Sequence, residues 1–287
     1  MKTFLLLLIT ALCCRAGLAQ TDTTAAAADS AKPVSTLTIG TVYANNASYY
    51  GQKAAEKTPY LAVAATYRHK SGFYLSGLSY KLLNDKSSTV SAGSLGVGIS
   101  GKPGKRFSAD LSYNHTFYPA LSPLLQAGNP DNASLGLVYE NWLNVGLTGD
   151  YAFGKTSDAF ATASLSKAIN LFSVTKKDIV TITPSADIVA GTQHFYETYV
   201  SQQKLRDSVL GIILTPITGG SSSGSTTKTV STTTFNILSY NFKLPLAYNR
   251  SHYVFEAAYQ LSVLSNYAQT DPGKTNSFFT CSFYYQF

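Results

Sequence analysis

The segment Phe278 to Phe287 reads FFTCSFYYQF. Counting back by twos from Phe287 collects Tyr285, Phe283, Cys281 and Phe279 on one side, with Gln286, Tyr284, Ser282 and Thr280 on the other. Side chains of a strand point alternately to its two faces, so this strand has one aromatic, apolar face and one mostly polar face. The alternation recurs upstream. In Phe107 to Phe117, the residues Phe107, Ala109, Leu111, Tyr113, His115 and Phe117 oppose Ser108, Asp110, Ser112, Asn114 and Thr116. Leu143 to Phe153 sets Leu143, Val145, Leu147, Tyr151 and Phe153 against Asn144, Thr148 and Asp150. Tyr240, Phe242, Leu244 and Leu246 oppose Ser239, Asn241 and Lys243, and Tyr253, Phe255, Ala257, Tyr259 and Leu261 oppose Glu256, Gln260 and Ser262. Each segment suits a wall with an apolar medium on one side and water on the other.

Composition fits such a wall. Charged residues make up 13% of the chain, against about 25% in soluble proteins, yet after the N-terminal run no stretch approaches the roughly 18 consecutive apolar residues of a membrane helix. Tyr and Phe number 20 and 15 against one Trp and one Met. A Tyr ring buries its body while its hydroxyl stays wet, which suits the two water interfaces of a membrane. A terminal strand with aromatics on one face and a carboxylate after its last Phe resembles the closing strand of Gram-negative outer-membrane β-barrels. The resemblance implies an antiparallel up-and-down transmembrane barrel whose last strand, through Phe279, Phe283, Tyr285 and Phe287, is read by the barrel-insertion machinery. It names no cargo.

Weaker alternating segments lie at Thr36 to Ala44, Tyr60 to Arg68, Phe73 to Leu82, Val90 to Ser100, Ala133 to Tyr139, Ala159 to Ala168 and Ile179 to Gly191. With the clear ones they make about twelve strands, an even number of the kind bacterial single-chain barrels use. Short links at His69 to Gly72, Gly101 to Arg106, Glu140 to Trp142 and Asn249 to His252 then alternate with longer ones, as periplasmic turns alternate with outer loops. Two links break the rule: Gly154 to Asp158 is short where a loop is due, and Ile169 to Lys177 is long where a turn is due, which leaves ten or fourteen strands open. The expected organisation is a secretory signal over residues 1–19, a periplasmic segment over 20–33, and a barrel over 34–287 with one long outer loop over 192–231.

The signal rests on Lys2, the apolar run Phe4 to Cys14, and small residues Gly17 and Ala19 at the cleavage positions. Leu12 before Cys13, and Cys13 before Cys14, do not give the small residue that a lipid-acceptor cysteine needs in front of it. Cleavage would leave Cys281 as the sole cysteine, so no intramolecular disulfide is expected. Within the long loop, Glu197 to Leu210 is compatible with a short helix, and the tract Gly219 to Ser225 reads as flexible coil. The loop either folds inward over the pore, reaches outward to a partner, or has no assigned role.

The charged residues expected at the lumen or its rims are Arg68, Lys81, Asp110, Glu140, Asp150, Asp187, Lys243 and Glu256. A hairpin turn centred between Arg250 and Ser251 would put Lys243 and Glu256 at diagonal positions. Mixed signs argue against a strong ion filter, and a barrel of this strand number is narrower than the 16- to 18-strand porins. The chain therefore reads as a narrow channel or transporter for small hydrophilic solutes. The alternatives are a structural or surface-binding barrel acting through its long loop, and an interface lipid hydrolase. Against the hydrolase, His115 alone among the histidines is suitably placed, and the chain lacks the His-x-Ser-Asn arrangement of phospholipase barrels, so no catalytic residue is assigned. After cleavage a single cysteine without a ligand-spaced histidine pair gives no metal site, no cofactor motif is present, and a net charge of +7 for the whole chain without a clustered basic stripe gives no nucleic-acid surface.

Overall fold

The computed structural model describes residues 34–85, 89–214 and 234–287, so the proposed signal and the Gly219 to Ser225 tract lie outside the described residues. Fourteen strands form one antiparallel sheet: β1 (Thr36–Ala44), β2 (Tyr60–Arg68), β3 (Phe73–Leu82), β4 (Ala92–Gly104), β5 (Phe107–Phe117), β6 (Asp131–Tyr139), β7 (Asn144–Phe153), β8 (Ser157–Ser166), β9 (Ile169–Phe172), β10 (Asp178–Ile182), β11 (Ser185–Gly191), β12 (Asn236–Arg250), β13 (Tyr253–Leu264) and β14 (Thr275–Gln286). A helix, α1 (His194–Leu214), follows β11. The sheet closes on itself. β1 pairs with β14 from Thr38↔Gln286 to Ala44↔Thr280, so the chain's first and last strands share the seam.

The wall has twelve staves rather than fourteen. β10 and β11 lie end to end along β12, from Asp178↔Arg250 to Ile182↔Leu246 and from Ser185↔Lys243 to Gly191↔Asn236. The break at Thr183–Pro184 faces Leu244–Pro245, and a proline cannot donate to a sheet ladder. The Thr183 amide still donates to the Pro245 carbonyl at 3.0 Å, and the Pro184 carbonyl accepts from Lys167 at 3.2 Å. Lys167 itself sits in the matching break between β8 and β9, so the interruption crosses neighbouring staves at one level. Ile169–Phe172 is thus wall, paired with β10, rather than part of a long turn. The connection at that end shrinks to residues 173–177, which removes one of the two anomalies in link length; the short link after β7 remains.

The alternation predicted from sequence holds around the ring. Leu37, Leu61, Leu75, Val97, Leu111 and Leu147 are exposed outward, and register places each outward row beside the next. Aromatics ring the outer surface at both ends: Tyr43, Tyr113 and Phe117 toward the longer loops, and Phe73, Tyr139 and Tyr285 toward the chain termini. A closed sheet satisfies its backbone groups internally, and an apolar band between aromatic girdles is what a lipid bilayer requires of it. The buried apolar residues are inside the barrel, mainly at the long-loop end.

Candidate functional site: the lumen and its outer plug

Four connections fold over and into the outer mouth. The first, residues 45–59, enters as a tight hairpin in which Tyr49 and Gln52 exchange backbone hydrogen bonds of 2.7 and 3.0 Å. Tyr50 (φ 51°) and Gly51 (φ 81°) are both left-handed, the geometry of a type I′ turn. The tip rests on the inner wall: Ser239 on β12 donates its hydroxyl to the Tyr50 carbonyl at 2.8 Å, and Asn276 on β14 donates to the Gly51 carbonyl at 3.1 Å. A Cβ at Gly51 would stand 2.5 Å from Asn241 Oδ1, so both conformation and space demand glycine there.

Helix α1 is fixed to the neighbouring stretch of inner wall, on β8, by Asp158. This inward residue of β8 is 1% exposed. Its carboxylate accepts from the amides of His194 and Phe195 at 2.7 and 2.8 Å, from Thr192 Oγ1 at 2.6 Å and from Asn129 Nδ2 at 2.8 Å; His194 Nδ1 lies 3.1 Å away. The first amides of a helix have no partner within it and carry the positive end of its dipole, so a carboxylate is the matched acceptor. Between the two anchors Tyr49, Tyr50, Phe160 and Phe195 pack together, with Tyr50 stacked on Phe160 at a centroid distance of 3.8 Å and Tyr49 edge-on to Phe195 at 4.9 Å. Val189 and Leu238 complete the cluster from the wall. Leu238 faces inward because the β11–β12 register shifts beside Val189, inserting an extra residue in β12. Each such buried side chain contributes about 1.5–3 kcal/mol relative to exposure.

Further bonds tie the remaining loops in. Arg206 donates to the Ser122 carbonyl at 2.8 Å and to Glu56 at 3.0 Å, and the Tyr199 oxygen accepts from the Ala55 amide at 3.1 Å. Burial raises the Tyr199 hydroxyl above its ordinary pKa, which keeps it neutral. Gln193 donates to the Tyr267 carbonyl at 2.7 Å, and Thr270 Oγ1 donates to Gln52 at 3.0 Å. The loops form one cross-linked plug.

At and below the plug the inner wall is polar. Arg68, Asp110, Asp150, Asp187, Lys243 and Glu256 all fall on inward rows. Lys81 does not: it pairs with outward Leu61, and its ammonium donates to the Asp85 carbonyl at the outer rim. Glu140 sits in the turn after β6 and meets Lys102 at 3.2 Å, both well exposed. The β12–β13 turn is centred between Ser251 and His252, so Lys243 opposes Gln260 while Glu256 opposes Ala247. The expected Lys243–Glu256 diagonal is therefore replaced by a contact from Lys243 to Asp187 at 3.8 Å. Arg68 instead bonds Ser100 Oγ and lies over the Tyr74 ring at 4.8 Å, while Tyr74 donates to Asp110 at 3.1 Å.

Sequence reasoning passed over Asp158 and Asp131. Asp158 shares the inward parity of Phe160 and Thr162 and becomes legible once the strand is started at Ser157. Asp131 opposes His115 on the outward face, where Tyr113 Oη donates to its carboxylate at 2.5 Å and His115 Nδ1 lies 2.7 Å away. The His115 ring also packs edge-on against Phe117, centroids 4.6 Å apart. This trio belongs to the outer aromatic girdle.

A sheet closed on itself, apolar outside, polar inside and banded by aromatics decides the class of fold. It is a barrel of the outer-membrane type. No family model matches the sequence, and no relative was found among curated proteins. Among solved structures the chain is similar to a KdgM porin (TM-score 0.48, 9% identity, covering 87% of this chain and 99% of that one) and to a bacterial polysaccharide outer membrane secretin (TM-score 0.48, 8% identity, 90% and 99%). It is also similar to an outer membrane channel from Pseudomonas putida F1 (TM-score 0.41, 12% identity, 90% and 97%).

Proposed function

We propose that the protein is a narrow outer-membrane channel for small hydrophilic solutes, drawn here with its outer mouth shut. The observation that carries this is the contrast between the two halves of the lumen. Ser, Thr, Asn and paired charges line the wall toward the chain termini, whereas the outer mouth is filled by loops seated on wall side chains such as Phe160, Val189 and Leu238. A barrel needed only as a scaffold has no use for a polar bore under a separate stopper. The Lys2 to Ala19 leader exports the chain of a Gram-negative cell, and outward-facing Phe279, Phe283, Tyr285 and Phe287 present the signal to the insertion machinery. The chain is assigned no catalytic step.

Planar-bilayer conductance of the refolded mature chain, with and without Glu197 to Lys228, tests the channel. Stepwise currents that grow when the segment is removed support it. Silence from both forms, with heat-modifiable mobility proving folded barrels, overturns it. The cross-linking of all four loops would then favour the second reading, a closed barrel that presents an ordered outer surface to a partner.

A further inference from the structure

The inner wall carries a belt that the plug does not use. Hydrogen-bonded rows climb toward the outer end from β1 onward: the row leaving Gly40 near the middle of β1 passes through Ala64, Leu78 and Ser94 to Thr116, near the top of β5, whose amide bonds Pro130 beyond β6. At a tilt of about 45° and a spacing of ~4.8 Å, a line of constant height descends by roughly 1.5 residues per strand against those rows. Starting from Glu256 on β13, that line passes within about one residue of Tyr284 on β14, Tyr74 on β3 and Asp110 on β5, and about one and a half residues above Arg68 on β2, the direct partner of Tyr74. The five therefore stand within about one and a half residues of one level, in an arc over half the circumference.

The arc is built to lie flat. A Cβ at Gly98 would fall on the Tyr74 ring, and one at Gly40 would fall on the Tyr284 ring, so each tyrosine lies across a glycine of the neighbouring strand with its face toward the bore. Each has a carboxylate beside it: Asp110 accepts the Tyr74 hydroxyl, and Glu256, paired with Ser282, is the diagonal neighbour of Tyr284. One of the two faces already shows what it accepts, because the Arg68 guanidinium is seated over Tyr74. A cation is drawn to the negative face of an aromatic ring. Setting aside Asp158, which anchors the plug, and Lys102, exposed at the rim with Glu140, the described inward strand residues give Asp110, Asp150, Asp187 and Glu256 against two cations, Arg68 and Lys243. Both of these are engaged, Arg68 with Tyr74 and Ser100 and Lys243 with Asp187. Low-dielectric walls focus the field of that acidic excess along a narrow bore.

We infer that this belt makes the lumen cation-preferring, and that Tyr284 with Glu256 holds a solute carrying a guanidinium or ammonium group, as Tyr74 holds Arg68. The inference rests on the channel reading. The test uses the chain lacking Glu197 to Lys228 in a KCl gradient. The reversal potential should report potassium more permeant than chloride by several-fold. The Asp110→Asn/Glu256→Gln pair should bring the ratio to unity or below, and Arg68→Gln should raise it. L-Arginine added on the side of the chain termini should block the current, L-glutamate should not, and Tyr284→Leu should remove the arginine block. Chloride preference, or a ratio that neither Asp110→Asn alone nor the double variant moves, overturns the inference and leaves the channel standing. Equal effects of arginine and glutamate overturn the guanidinium site. Silence in every folded form overturns channel and belt together.

Discussion

Asp158 holds more of the plug than any other side chain described. Four donors converge on one carboxylate that is 1% exposed, and removing the acceptor leaves buried amides without a partner, at about 1–3 kcal/mol for a group so stranded. Asp158→Ala is expected to free α1 while the wall stays intact: hydrogen exchange at the His194 and Phe195 amides should accelerate by at least tenfold with heat-modifiable mobility unchanged. Gly51→Ala is expected to act at the other anchor. Its methyl meets Asn241 and its backbone must hold φ near 81°, a strain of order 1–3 kcal/mol, and protease should cut residues 45–59 faster than in the parent. Alternation tells which face a residue takes and nothing about what it touches. Asp158 could be placed inward from the sequence, but its partners arrive on a helix 36 positions away, and no local pattern announces them. Asp131 was hidden for a different reason: an acidic residue on a lipid-side row looks like the end of a loop until Tyr113 and His115 are seen to close around it.

Strands announced themselves where lipid and water pull on opposite faces. Thr36–Ala44, Tyr60–Arg68, Phe73–Leu82 and Phe107–Phe117 have the boundaries expected from alternation, since a one-residue slip would turn every apolar side chain into the lumen. In β3 the signal fades. Gly77 and Ser79 lie outward while Leu78 points inward, so parity gave no firm assignment for Lys81, and only pairing with Leu61 settles it. The break at Thr183–Pro184 was also invisible, because the Pro245 that faces it lies in another strand. Lipid-side arginine offers the sharpest check on the facing: Leu111→Arg or Leu147→Arg, both on outward rows, costs about 2–4 kcal/mol near mid-bilayer. Both should lower the yield of heat-modifiable barrel on refolding into vesicles, while Ser112→Gln and Thr148→Gln should leave it unchanged. Normal yields for both arginine variants would reverse the two faces.

Twelve staves, with the start of β1 and the end of β14 on one side and the longer links on the other, follow from the count of alternating segments and the parity rule. The filling of the mouth does not follow, because helical residues such as Glu197 to Leu210 fit a loop that swings outward as well as one that turns in. What settles its direction is the seat waiting for it on strands far along the chain: Ser239 and Asn276 for the Tyr50–Gly51 tip, and Asp158 for α1. Those seats also impose an order of events. Residues 45–59 are made early, yet Asn276 belongs to β14, the strand that seals against β1, and contacts so distant in sequence form slowly. In a refolding time course, protease protection of residues 45–59 should therefore lag behind the heat-modifiable band; protection that came first would mean the tip finds its seat in an open sheet. On that order a nascent barrel would pass through an interval in which its wall is complete and its mouth still open, and a transient release of trapped solute from vesicles during refolding should mark it.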